Sequence, residues 1–168
     1  MSKKYKAMVL SCMDPRFQKP VHKYLNEKNL SFCIMSKKYE AMVLSCMDPR
    51  FQKPVHKYLN NKKLTGKYSA FTIAGGSIGV TNERFKKWHS TFWENLDTSI
   101  KLHKINNLIV INHKDCGAAK IVNGNKKFNS SIENKIHKNS FIKLKKNLKK
   151  RFPKIKVSFK VMTLKNAI

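Results

Sequence analysis

Residues 41–60 read AMVLSCMDPRFQKPVHKYLN, and they change character twice. Ala41 to Cys46 form a short apolar run suited to a buried strand. A polar turn follows, and then Val55, Tyr58 and Leu59 fall on one face of a helix. A strand that feeds a helix is the repeating unit of a parallel sheet, so the decisive question is whether the pattern recurs downstream.

It does. Tyr68 to Ala74 (YSAFTIA) read as a second strand, ending in the glycine-rich GGSIG. A long amphipathic helix is expected from about Asn82 to Lys104, with Phe85, Trp88, Phe92, Leu96 and Ile100 inward and Asn82 as its N-cap. Asn107 to Asn112 (NLIVIN) form the third strand, and HKDCG turns the chain into another helix near Ala118. A further helix is expected over about Ser131 to Phe152, with Ile132, Ile136, Leu144 and Leu148 inward. Lys156 to Leu164 (KVSFKVMTL) form the last strand. The expectation is an α/β fold, a mainly parallel β-sheet flanked by helices. Ligands of such sheets bind beyond the carboxyl ends of the strands, where the strand order reverses.

The opening stretch also occurs upstream. Met1 to Leu30 match Met35 to Leu64 at a constant offset of 34 residues, differing only at Lys6/Glu40, Glu27/Asn61 and Asn29/Lys63. A repeat architecture normally needs three or more units to bury a shared core, so two copies do not announce one. The second copy runs through a short TGK connection into the next strand, as a compact α/β unit should. The first meets SFCI and then a fresh MSKKY. Residues 1–34 are therefore expected to be a duplicated segment, peripheral or poorly ordered, and residues 35–168 to be the domain.

Composition narrows the class. Of 168 residues, 41% are hydrophobic and 27% charged, which are globular values, and no apolar run approaches the roughly 18 residues that span a bilayer. MSKKYKAMVLSC imitates a lipoprotein leader, but its apolar run is too short for a signal peptide and the same words recur internally. The four cysteines, Cys12, Cys33, Cys46 and Cys116, are too few and scattered for a disulfide framework, which fits a reducing cytoplasm. The net charge of +27 suggests a polyanionic partner, yet only four of the 36 basic residues are arginine, the side chain that phosphate and base recognition favours. The lysines are read as a solvated surface, with no specific nucleic-acid or membrane partner. Lys145, Lys146, Lys149, Lys150 and Arg151 fall in the last turns of a helix, where cations complement its dipole.

Two strand ends carry chemistry. Cys46 closes the first strand and His113 follows the third, so both emerge at the same carboxyl edge of a doubly wound sheet. Cys116 lies three residues past His113, where the pair can converge on one ion. Thiolate, imidazole and thiolate make a soft donor set that suits zinc, and three protein ligands leave a fourth position open, the mark of a catalytic site. Zinc lowers the pKa of its water to about 7, giving hydroxide at neutral pH. Asp48 and Arg50 follow Cys46 at alternate positions. An extended segment would aim all three similarly, with the carboxylate accepting a hydrogen bond from the hydroxide and the guanidinium holding it ionised.

CMDPR, read as Cys-x-Asp-x-Arg, the IAGGSIG loop, and HKDCG, read as His-x-x-Cys-Gly, stand in this order. In these motifs the chain from about Met35 onward resembles the β-class carbonic anhydrases. The resemblance implies a zinc enzyme that interconverts carbon dioxide and bicarbonate. It implies one Zn2+ per chain on Cys46, His113 and Cys116, an Asp48–Arg50 catalytic dyad, and a homodimer or larger homo-oligomer with sites near subunit interfaces. The fourth zinc position would take water or, in an inactive state, Asp48 itself. Pro49 stands where the family often has a small residue and leaves the dyad intact. Gly75 and Gly76 read either as turn formers or as backbone that approaches bicarbonate. His56, in the helix after the dyad, reads as a surface or packing residue, as do His22, His89, His103 and His137. Two Cys-x-Asp-x-Arg copies compete for one His-x-x-Cys, and Cys46 is expected to complete the site rather than Cys12. Two other functions fit the residues: a catalytically silent zinc-binding homologue and a basic module that binds polyanions.

Overall fold

Four parallel strands form one sheet in the order β2-β1-β3-β4. The elements run β1 (Ala41–Cys46), α1 (Pro49–Asn61), β2 (Tyr68–Ile73), a 3-10 helix (Glu83–Trp88), α2 (His89–His103), β3 (Asn107–His113), α3 (Gly117–Asn123), α4 (Ser130–Arg151) and β4 (Lys156–Met162). This computed structural model describes residues 39–124 and 126–164, together with Asp14 and Arg16. The expected α/β architecture is present, with helices on both faces of the sheet.

All six residues of β1 are buried, which explains its unbroken apolar run: a central parallel strand is covered on both faces and has no polar side to show. Ala41 and Val43 pack with Phe51, Val55 and Leu59 of α1. Met42 and Leu44 pack with Phe92 and Leu96 of α2 and with Leu144 and Leu148 of α4. The edge strand β4 instead alternates between exposed and half-buried positions. Phe92 is fully buried, with its ring 5.6 Å from Phe71 and 4.9 Å from Trp93, both edge-on. Truncating it leaves a cavity in a three-layer contact. Phe92→Ala is expected to cost about 3–5 kcal/mol, read as a lower urea midpoint at unchanged slope.

Two helices differ from expectation. The stretch expected as one helix from Asn82 begins as a 3-10 segment whose Phe85 leaves helical geometry (φ −114°, ψ 24°). Asn82 caps it, its side chain accepting from the Arg84 amide at 3.0 Å. Phe85 and Trp88 stack on each other at 4.7 Å, 5° from parallel; Phe85 is half-buried against the core, whereas Trp88 is exposed instead of inward. Full burial begins in α2, with Phe92, Trp93, Leu96 and Ser99. In α4 the inward residues are Glu133, His137, Ser140, Leu144 and Leu148, while Ile132 and Ile136 are only half-buried.

β1 hands the chain to β2 on one side, while β3 and β4 lie on the other. The strand order therefore reverses between β1 and β3, which run parallel with Ser45 opposite Ile111. Cys46 and His113 sit at the carboxyl ends of these two strands, beside the crevice where such sheets bind ligands. No helix among the described residues is long and apolar enough to cross a membrane.

Candidate metal centre

Three elements deliver one donor each to that crevice. Cys46 is the last residue of β1, His113 the last of β3, and Cys116 the residue from which α3 starts. One ligand atom from each lies within 4.8 Å of the other two, and all three side chains are buried. Asp115 makes the tight return from His113 to Cys116 possible by taking a left-handed conformation (φ 59°), which Asp tolerates better than most residues.

His113 is fixed in orientation. Its ring lies 4.7 Å from that of Phe51, and Nδ1–H donates to the Lys114 carbonyl at 2.8 Å. Nε2 then carries the lone pair, and it is buried without a hydrogen-bond partner. A buried acceptor left unsatisfied costs about 1–3 kcal/mol, a penalty that an ion among the three donors would remove. The sulfurs are tuned as a pair. The Cys116 thiol donates toward Cys46, lowering the Cys46 pKa against the opposing effect of burial, and His113 and the Gly75 amide at 3.2 Å add to this. The same contact, with burial, pushes Cys116 up. Burial works to lower the His113 pKa, but the adjacent Cys46 sulfur, the Lys114 carbonyl and Asp48 together outweigh it and the net shift is upward. A buried pair of sulfurs that share one proton, next to an open imidazole lone pair, fits a soft divalent ion such as zinc.

Asp48 and Arg50 come together differently from expectation. The segment does not stay extended, because Asp48 is the N-cap of α1, Pro49 occupies its first turn and Arg50 lies within the helix. Asp48 Oδ1 accepts from the Arg50 amide at 3.0 Å, and the guanidinium reaches both carboxylate oxygens, closest at 2.7 Å from Nη2 to Oδ2. Arg50 also spans to Asp115 at 3.0 Å, tying α1 to the His113–Cys116 turn. Asp48 Oδ2 lies 3.8 Å from His113 Nε2. The Arg50 hydrogen bonds hold the Asp48 carboxyl below the usual carboxylate range, against burial, and Lys120 with Arg50 does the same for Asp115.

These shifts have a sign. A carboxyl whose folded pKa is depressed takes up its proton more readily in the unfolded chain. Its stabilising contribution is complete above the unfolded value, about 3.9 for Asp, and is lost as pH falls through the folded one. The melting temperature is expected to drop below about pH 4, and to drop less steeply in Asp48→Asn, which a thermal unfolding series across pH 3–6 would show.

Gly75 and Gly76 adopt positive φ, 75° and 54°. A Cβ on Gly75 would meet that of Ala118 at 2.7 Å, and one on Gly76 would meet Asn112 Oδ1 at 2.6 Å. The Gly75 amide is directed at Cys46 Sγ, and the Gly76 amide donates to the Ile73 carbonyl. Of the amino-terminal copy, Cys12 and His22 lie outside the described residues. Asp14 and Arg16 repeat the dyad contact, with Nη2 2.5 Å from Oδ2, and Asp14 interacts with His103 at the end of α2. His56 is half-buried, His89 Nε2 meets the Asn82 carbonyl at 3.0 Å, and His103 Nδ1 meets Ser69 Oγ at 2.9 Å.

Sequence reasoning missed a buried polar group behind the three donors. His137 and Ser140 of α4 meet Asn112 and Ser77 there, Glu133 meets the Cys116 amide, and all five polar residues are buried. The signal was available: Glu133, His137 and Ser140 extend the Leu144–Leu148 stripe at spacings of three and four.

Comparison with known proteins now bears on this site. Residues 35–159 match the model of the family described as "Putative carbonic anhydrase". The chain belongs to this carbonic anhydrase family. The match starts at Met35, the first residue of the second copy. Among solved structures, carbonic anhydrase from Streptococcus mutans is similar at 18% identity and a TM-score of 0.55, covering 96% of this chain and 97% of that one. The β-carbonic anhydrase CafA of Aspergillus fumigatus is similar at 12% identity and a TM-score of 0.52, covering 79% and 74%. Both likenesses are of fold. An uncharacterized protein of Rickettsia conorii, RC0076, is 26% identical over 106 residues, which are 62% of this chain and 57% of that protein. One from Rickettsia bellii is 26% identical over 102 residues, 60% of this chain and 62% of that protein. The chain thus spans about three-fifths of the length of these relatives.

Proposed function

We propose that this member of the carbonic anhydrase family interconverts carbon dioxide and bicarbonate with one zinc ion per chain, held by Cys46, His113 and Cys116. The observation that carries the reading is the buried, unpartnered His113 Nε2 among two sulfurs, 3.8 Å from a carboxylate that Arg50 has locked. Bound zinc would supply a Lewis acid that brings the pKa of water to about 7.

The chain's own residues do the rest. Asp48 is an acceptor at the open side of the cluster, and Arg50 keeps it ionised and fixes where its lone pairs point. Because Arg50 engages both Asp48 oxygens, the carboxylate is restrained from swinging onto an ion, which supports a fourth position left to water. Gly75 and Gly76, where backbone passes close to Cys46 and Asn112, form the loop beside which bicarbonate would sit. The same reading places the activity in residues 35–168 of a cytoplasmic homodimer or larger homo-oligomer, with residues 1–34 peripheral.

Stopped-flow carbon dioxide hydration, with zinc content measured on the same sample, tests it. Stoichiometric zinc with hydration well above the uncatalysed rate is the expected result. Zinc without turnover would leave a silent metal-binding homologue and overturn the enzyme.

A further inference from the structure

The inward face of α4 changes character along its length. Leu144 and Leu148 pack in the apolar core, but Ser140, His137 and Glu133, nearer the metal cluster, are polar and no more than 5% exposed. Burying such groups is costly unless each finds a partner, so their placement calls for one.

Hydrogen bonds from α4 reach the surroundings of the cluster at two places, one through His137 and one through Glu133. The Ser77 amide donates to Asn112 Oδ1 at 3.2 Å, which leaves Asn112 Nδ2 to donate to Ser77 Oγ at 2.8 Å and to His137 Nδ1 at 3.0 Å. His137 Nδ1 is then the acceptor and Nε2 carries the hydrogen. Nε2 makes no hydrogen bond, and Glu133 Oε1 lies 3.8 Å from it. That same Oε1 accepts the backbone N–H of Cys116 at 2.9 Å. Glu133 therefore holds the backbone of a proposed sulfur ligand. His137, four residues on along the same helix, separately holds Asn112, the immediate neighbour of His113.

We propose that Glu133 and His137 are positioning residues for the metal site, clamping Cys116 and the Asn112–His113 strand end to α4 so that sulfur and imidazole keep a common focus. The inference rests on the zinc-site reading above, though not on the hydration activity. Partners of this kind behind metal ligands are typically worth 10–100-fold in metal affinity.

The test uses the full chain with zinc, competed by a chromophoric chelator, and with cobalt as a spectroscopic substitute. Glu133→Met fills a similar volume without an acceptor oxygen, whereas Glu133→Gln keeps one. The Met variant is expected to bind zinc about 10–100-fold more weakly and to show an altered thiolate-to-cobalt charge-transfer band. The Gln variant should stay within about threefold of the parent and keep the band, a rescue that loss of packing alone would not give. His137→Leu, which cuts the tie to Asn112, should weaken zinc about tenfold and decides the matter if Glu133→Met does not fold. Affinity within about twofold of the parent in the Met variant, or in His137→Leu where that variant decides, overturns the proposal. So does a Gln variant as weak as the Met one. A parent chain that binds neither metal overturns the zinc reading and this inference with it. Metal binding without hydration overturns the activity alone and leaves the clamp standing.

Discussion

Cys46→Ser is expected to leave the chain without stoichiometric zinc, while Cys12→Ser leaves zinc at one per chain. The two positions sit in nearly identical sequence, so local propensity cannot separate them; the difference lies in what surrounds Cys46. It ends the central strand, within 4.8 Å of both His113 and Cys116, and receives the Gly75 amide. A serine hydroxyl there would be a hard, protonated donor in place of a soft thiolate. Disturbing even the groups behind a ligand costs 10–100-fold in metal affinity, so loss of the ligand itself should exceed about 100-fold. Zinc content of the two purified variants, measured elementally, decides it. Full occupancy in Cys46→Ser together with loss in Cys12→Ser would hand the site to the first copy.

The second large effect should separate metal from chemistry. Asp48→Asn keeps size and shape but replaces an ionised acceptor, held by a guanidinium at 2.7 Å, with a neutral amide. Losing a positioned proton acceptor typically removes 10²–10⁴-fold in rate, so kcat/KM for hydration should fall by about that factor with zinc content unchanged. Arg50→Ala should fall in the same direction, because Asp48 loses both the charge that ionises it and the fork that aims it. Stopped-flow traces with matched zinc would expose a failure: activity within about threefold of the parent in Asp48→Asn would remove Asp48 from the proposed chemistry.

Much of this was legible in the chain itself. AMVL and LIVI are unbroken apolar runs because all of β1 and most of β3 are buried, and a run bounded by polar residues betrays such strands directly. Cys46 and His113 were legible because they close those strands, and Cys116 because it follows His113 by three residues. What escaped were features that depend on the third dimension. The Asp48–Arg50 contact came from helix capping rather than from alternation along an extended segment, a choice Pro49 settles only once the strand's exit direction is known. Trp88 carried the spacing of an inward residue but is exposed, stacked on a half-buried Phe85. Glu133 and His137 fall on the Leu144–Leu148 stripe, so their inward position was legible by spacing, but their role was not, since a buried polar residue reveals what it holds only when its partners are in place.

The three donors also span a long stretch of chain. Cys46 precedes His113 by 67 residues and Cys116 by 70. In an unfolded chain they form no common pocket, so an ion that favours this cluster favours the native state over the unfolded one. By mass action, free zinc at 1,000 times its dissociation constant would add about 4 kcal/mol to the folding free energy, a large share of what domains of this size possess. The ion would then be a cross-link between the first and third strands as much as a reagent, and cellular metal supply would set how much folded protein there is.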